Sequence, residues 1–210
     1  MNQTEFFAKW SELHGNAEIK GIVKAWLKIS FASAKFVSAL RLTPNLLTLL
    51  GIVFAAAMAV NPLSVWTIPL LVLSLYSDGI DGSVAIYQNR ASQFGAVLDS
   101  VADRISEALW FYVAYRIGAP AWLVLATYVI ASTQEYARAR LGGLGVSDVG
   151  VVTPAERPVR ASFIFIALVA QAIDLNLVTA AMMVLGVLQV FSFYLVGRWA
   201  YNCLRDNFSA

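Results

Sequence analysis

Residues 63–86, LSVWTIPLLVLSLYSDGIDGSVAI, and 93–104, QFGAVLDSVADR, carry Asp78, Asp81, Asp99 and Asp103 inside otherwise apolar sequence. The first stretch is long enough for a helix across a hydrocarbon core about 30 Å thick, which takes roughly 20 apolar residues. An acid in such a segment is unfavourable unless it faces a polar interior or a partner, so these four positions are read for function first. The rest of the chain supports the membrane reading: of 210 residues, 59% are hydrophobic and 13% charged, with a mean hydropathy of +0.68. Soluble domains carry about 25% charged residues. The composition therefore excludes a soluble single-domain enzyme, a disordered chain and, with Cys203 as the one cysteine, a disulfide scaffold.

Hydropathy predicts an all-α integral membrane protein with six transmembrane helices over 43–61, 63–86, 93–117, 120–140, 158–175 and 177–201. Residues 18–40 carry a different, amphipathic pattern. Lys20, Lys24, Lys28 and Lys35 share one side of a helix, and Ile22, Trp26, Ile29, Phe36, Val37 and Leu40 share the other, with Ser33 among them. Such a helix suits the membrane plane, its lysines toward anionic headgroups; packing onto the rest of the protein is the alternative. The expected organisation is a polar N-terminus and amphipathic juxtamembrane helix over 1–41, a six-helix membrane domain over 42–203 and a short tail over 204–210. Residues 1–20 have no basic flank, apolar run and cleavage site of a secretory signal, and are expected to be retained and poorly ordered. His14 lies there as a solvated side chain rather than a metal ligand. Arg41, Arg90, Arg138, Arg140, Arg157, Arg160, Arg198, Arg205 and the N-terminal lysines fall on one side of this arrangement, with Arg116 alone on the other. The asymmetry predicts a multi-pass cell-membrane protein with both termini and the acids on the cytoplasmic side.

Asp78 and Asp81 are three apart, and Asp99 and Asp103 four apart, so each pair shares a helix face. A short link through Asn89 and Arg90 makes the two helices antiparallel neighbours, able to aim all four carboxylates into one gap. Four acids in a low-dielectric gap cannot all stay ionised without a cation. Oxygen ligands without His or Cys favour Mg²⁺, Mn²⁺ or Ca²⁺ over zinc, and a two-metal site clamps the attacking and leaving oxygens of a displacement at phosphorus. Spacing leaves two other readings open: helix-end acids paired with Arg90 and Arg104, and the cation or proton path of a transporter. Gly79, Gly82 and Gly95 vote weakly for a diphosphate passing between the helices, because glycine lets a ligand approach the backbone.

Asp78-x-x-Asp81-Gly82-x-x-Ala85 followed by Gly95-x-x-x-Asp99-x-x-x-Asp103 resembles the signature of the CDP-alcohol phosphotransferases, membrane enzymes that make phospholipids. All seven specified positions match at the family's spacing, and the resemblance runs from Thr43-Pro44-Asn45-Leu46 to the last helix. Independently, Thr43 before Pro44 reads as a helix start, with capping the plain explanation of Asn45 and Thr48. One position departs: Ile86 stands where the family has an arginine that helps hold the CDP-lipid, and Arg90, one turn later, is expected to reach back in its place. The resemblance implies transfer of a phosphatidyl group from CDP-diacylglycerol to the hydroxyl of a polar alcohol, with release of CMP. It implies two ions, Mg²⁺ or Mn²⁺, on Asp78, Asp81, Asp99 and Asp103, with Asp103 also the general base. Thr43, Pro44, Asn45, Leu46, Gly82, Ile86, Ser92 and Gly95 would surround the CDP-lipid.

For the acceptor, Arg138, Arg140, Arg160 and Arg198 would supply phosphate-binding forks, although membrane topology accounts for each singly. The segments Tyr136-Ala-Arg138-Ala-Arg140 and Glu156-Arg157-Pro158-x-Arg160 most resemble the actinobacterial phosphatidylinositol phosphate synthases, whose acceptor is inositol phosphate; Arg138 replaces a usual Lys, and Val159 an acid. Glycerol 3-phosphate, the acceptor of a phosphatidylglycerophosphate synthase, would use a similar pocket. The resemblance further implies a homodimer among membrane lipids. A catalytically impaired relative that only binds lipid or nucleotide is one alternative, and a transporter is another. A net charge of +2 gives no field for a nucleic-acid partner.

Overall fold

The computed structural model describes residues 1–13, 15, 17–146 and 150–207, with Ile22, Asp206 and Asn207 described by their backbone alone. The expectation for His14, and the end of the tail expected over 204–210, lie outside the described residues. Among the described residues there are eight α-helices and no strand. They are α1 (Gln3–Leu13), α2 (Gly21–Ala39), α3 (Pro44–Val60), α4 (Thr67–Tyr87), α5 (Gln93–Arg116), α6 (Ala121–Gly143), α7 (Arg157–Ala172) and α8 (Val178–Asn207). The six hydropathy segments correspond to α3 through α8. By length and apolar composition, α4 and Val178–Arg205 qualify as membrane-crossing helices; Val23–Ala39 and Pro44–Val60 qualify only as a pair, bent by 99°.

The chain divides into two compact units. The first comprises Met1–Ala57 and Pro69–Ser106, hence α1, α2, most of α3 and α4, and the first half of α5. Near its start Gln3–Leu13 form a helix, where residues 1–20 were expected to be poorly ordered. Asn2 and Glu5 form a reciprocal cap: the Glu5 amide donates to Asn2 Oδ1 at 2.9 Å, and the Asn2 amide to Glu5 Oε2 at 3.0 Å. Such an exchange satisfies amide groups that a helix start leaves unpaired. Phe6 is wholly buried in a cluster with Leu27 and Ile86, bordered by Phe7, Trp10, Phe31 and Tyr87. A short helix is marginal in water by itself; this aromatic seam is what holds it.

On α2, Leu27, Ser30, Ala34 and Val37 form the buried stripe, at helical spacing. Val37 was expected on the lipid side with Trp26; it instead packs with Ala34, Leu47, Ile80 and Val84, because the core-facing stripe is rotated from the face defined by the lysines. Trp26, Ile29, Phe36 and Leu40 remain exposed. The Gln88 amide nitrogen donates to Ser38 Oγ at 3.0 Å and to the Leu42 carbonyl at 2.8 Å, tying the turn after α2 to the end of α4.

The second unit comprises Met58–Ile68 and the chain from Glu107 onward. Within it α6 and α7 pack on α8, around Trp110, Phe111, Ile164, Met182 and Leu185, all buried. Unusually for an apolar core, Glu107, Gln134, Arg160 and Gln189 are also wholly buried. Polar groups in such a setting persist only with partners, and here they find one another.

Candidate active site

The signature lies in the first unit, at the end of α4 and the start of α5. α4 stops in a Schellman motif, in which the Arg90 amide donates to the Ala85 carbonyl at 2.8 Å and the Asn89 amide to the Ile86 carbonyl at 3.2 Å. Asn89 takes the left-handed conformation, φ +55°, that this motif requires and that Asn tolerates better than most residues. Two residues later Ser92 caps α5, accepting from the Gly95 amide at 3.0 Å. Two local rules thus end α4 and start α5 within residues 88–92, and Asp78 of α4 meets Asp99 and Asp103 of α5.

The oxygen atoms of Asp78, Asp99 and Asp103 come within 4.8 Å of one another, each carboxylate being half-buried. Arg104 lies 3.7 Å from Asp103. Asp81 is not part of this trio and has partners of its own: Thr48 Oγ1 donates to its Oδ2 and the Gly82 amide to its Oδ1, both at 2.5 Å. Thr48, read from sequence as a cap, is thus also the positioning partner of the second acid. Three gathered carboxylates with hard oxygen donors suit a divalent cation. Asp78, Asp99 and Asp103 would hold it, with Asp81 beside them.

Adjoining the acids is a cavity of about 380 Å³. Pro44, Asn45, Gly82, Ile86, Ser92 and Gly95 line it, six of the eight positions expected around a CDP-lipid, together with Asp81 and Asp99. Arg90 lines it too. Thr43 does not; its hydroxyl faces the Leu46 amide at 3.4 Å as the cap of α3, and Leu46 is exposed. The helix start expected at Thr43-Pro44 is present. Gly95 is needed for space, since a Cβ there would stand 3.1 Å from Ser92 Oγ and 3.5 Å from Asn45 Oδ1.

The arginines expected at an acceptor phosphate lie in the second unit. Arg160 is wholly buried, its Nε on Glu107 at 2.5 Å, its Nη2 on Glu135 at 3.2 Å and its Nη1 on the Ala155 carbonyl at 2.6 Å. Arg138 makes a two-pronged bond to Glu156, at 2.7 and 2.8 Å, and stands 3.7 Å from Glu135. Arg140 and Arg198 are exposed. Thr153 adds its amide and hydroxyl to Glu156, and these donors with Arg138 outweigh the upward push of burial, holding the Glu156 carboxyl at about 2. Sequence reasoning missed Glu107 and Glu135, although acids inside apolar helices were the signal that found the aspartates.

Comparison with known proteins finds relatives of the chain among phospholipid synthases. The chain is 34% identical over 124 residues to an archaetidylinositol phosphate synthase of Aeropyrum pernix, covering 57% of this chain and 63% of that protein. It is also 34% identical over 161 residues to a phosphatidylinositol phosphate synthase of Corynebacterium glutamicum, covering 70% of this chain and 69% of that protein. The crystal structure of Mycobacterium tuberculosis phosphatidylinositol phosphate synthase with CDP-DAG bound has the same fold, with a TM-score of 0.66 at 23% identity, over 83% of this chain and 94% of that one. The same enzyme has been crystallised with manganese and citrate, at a TM-score of 0.63 and 23% identity, over 82% and 88% of the two chains. Residues 41–196, which include the cavity's acids and the whole signature, match the CDP-alcohol phosphatidyltransferase domain; the chain belongs to that family of transferases.

Proposed function

We propose that the protein transfers a phosphatidyl group from CDP-diacylglycerol to the hydroxyl of inositol phosphate and releases CMP. The observation that carries this reading is the trio Asp78, Asp99 and Asp103 beside a cavity lined by Asp81, Asn45, Ser92 and Gly95. Bound Mg²⁺ or Mn²⁺, two ions on Asp78, Asp81, Asp99 and Asp103, would neutralise the diphosphate and the charge that develops on departing CMP. Asp103 takes the proton of the acceptor hydroxyl. The freed oxygen forms a bond to the lipid-side phosphorus, and the bond from that phosphorus to the CMP oxygen breaks. Thr48 and the Gly82 amide fix the Asp81 carboxylate in one orientation.

Exposed Arg140 and Arg198 are the arms for the acceptor's phosphate. Arg138 and Arg160, engaged with Glu156 and Glu107, hold the helices that carry those arms in place. In this reading α3 through α8 are six membrane spans, and α2 lies at the surface with its exposed Ile29 and Phe36 toward the acyl boundary. The site and both termini face the cytoplasm, and the enzyme works as a homodimer in the cell membrane. The deciding experiment supplies purified protein with CDP-diacylglycerol, Mg²⁺ or Mn²⁺ and either inositol 1-phosphate or glycerol 3-phosphate, and follows CMP. Release only with inositol 1-phosphate is expected. Release only with glycerol 3-phosphate overturns the acceptor, and intact metal binding with no release from any CDP-lipid overturns the activity.

A further inference from the structure

The cavity has a mixed lining: Asn45, Ser92 and Asp99 are polar, while Trp10, Leu13 and Trp26 supply aromatic and apolar surface. Trp10 and Leu13 belong to α1 and Trp26 to α2, and both helices lie outside residues 41–196, the part matched by the family. The indole of Trp26 lies over Gly79, where an added Cβ would meet its ring at 3.7 Å, so α2 closes directly onto the signature. α1 is fixed over the same place at two points: Phe6 is buried with Ile86 and Leu27, and Lys9 Nζ donates to Asn89 Oδ1 at 2.5 Å. Trp10 is thereby held one turn beyond Phe6, in the lining of the cavity.

We infer that α1 is a nucleobase-recognition element and that Trp10, with Trp26, stacks on the cytosine of the CDP-lipid; this rests on the proposed phosphatidyl transfer. The diphosphate belongs with the acids. A cavity of about 380 Å³ has the size of a small-ligand site, too confined to enclose two acyl chains as well. Beyond the diphosphate the headgroup is a ribose that ends in a flat heteroaromatic base, and an indole face is a partner for that base. α1 carries Glu5, Lys9, Ser11 and Glu12 among its residues, a polar segment that suits the aqueous end of the substrate rather than its lipid tails.

The test measures binding of CDP and of inorganic pyrophosphate to the full-length protein with Mn²⁺, and the KM for CDP-diacylglycerol. Trp10→Ala is expected to weaken CDP and raise KM about tenfold, with kcat and pyrophosphate binding unchanged, and Trp10→Phe to restore most of the loss. If Trp10→Ala weakens pyrophosphate as much as CDP, or Trp10→Phe fails to rescue, α1 only supports the fold and the inference is overturned. If CDP binding is unaltered by Trp10→Ala, the inference fails while the activity stands; if the unmodified protein binds no CDP and releases no CMP, the activity itself fails.

Discussion

In the first unit carboxylates meet carboxylates; in the second they meet guanidinium groups. Asp78, Asp99 and Asp103 converge within 4.8 Å, whereas Glu107, Glu135 and Glu156 are each joined to Arg160 or Arg138. Both clusters sit in helices rich in apolar residues. The first gathers like charge and acquires a purpose only when a cation arrives, so its geometry serves chemistry. In the second each carboxylate is met by a guanidinium of the same cluster, so its geometry serves the fold. Removing charge should therefore have opposite effects on the two.

The largest effect is expected in the first cluster. Chelation with EDTA should abolish CMP release and Mg²⁺ or Mn²⁺ should restore it; Asp103→Asn should lower kcat by about 10²–10⁴-fold, the usual contribution of a general base. Asp99→Asn should not lower the melting temperature of the metal-free protein in detergent, because it removes a like charge from beside Asp78 and Asp103. A clear loss of stability there would erase the distinction between the clusters. In the second cluster Arg160→Ala leaves Glu107 buried without its main partner and should destabilise the protein by about 3–5 kcal/mol, read from thermal melting. Arg160→Met combined with Glu107→Leu should recover most of that loss.

Smaller effects sharpen the contrast. Arg90→Ala removes a cavity-lining charge from the side of the first cluster and should weaken CDP about tenfold, the size of one charge-assisted hydrogen bond, with folding untouched. The smallest is a pH effect at Glu156. Its carboxyl is held at about 2 against an ordinary 4.5, so its contribution is complete above pH 4.5 and fades as pH falls through the folded value near 2. Melting followed between those limits should show the decline, and Glu156→Gln should flatten it.

The aspartates were legible because acids inside apolar sequence stand out and helical spacing says which of them share a face. Helices α3 to α8 were legible for the same reason, as hydropathy is strong where a segment is long. α1 was hidden by averaging: Phe6, Phe7 and Trp10 are diluted among polar neighbours, and nothing local reveals that Ile86 completes their cluster. Val37 was misplaced because the lysines indicated the solvent face of α2 but not which part of the opposite face meets protein. Trp26, read only as lipid-facing, also lines the cavity. The arginines were visible, but their carboxylate partners come from other helices, and pairing at a separation of 53 residues, as for Glu107 and Arg160, leaves no mark in a local pattern.

The burial of Ile86 with Phe6 links two positions 80 residues apart, one inside the family's matched region and one before it. An arginine at position 86 would bury a charged group in the apolar cluster of Phe6 and Leu27, at a desolvation cost. Across related sequences the two should therefore change together: chains with arginine at the end of the signature should lack an apolar ring at the position of Phe6, and chains that keep such a ring should carry an aliphatic residue there. Family membership and the N-terminal extension would then be inherited as one unit of co-variation rather than as a domain with an optional tail.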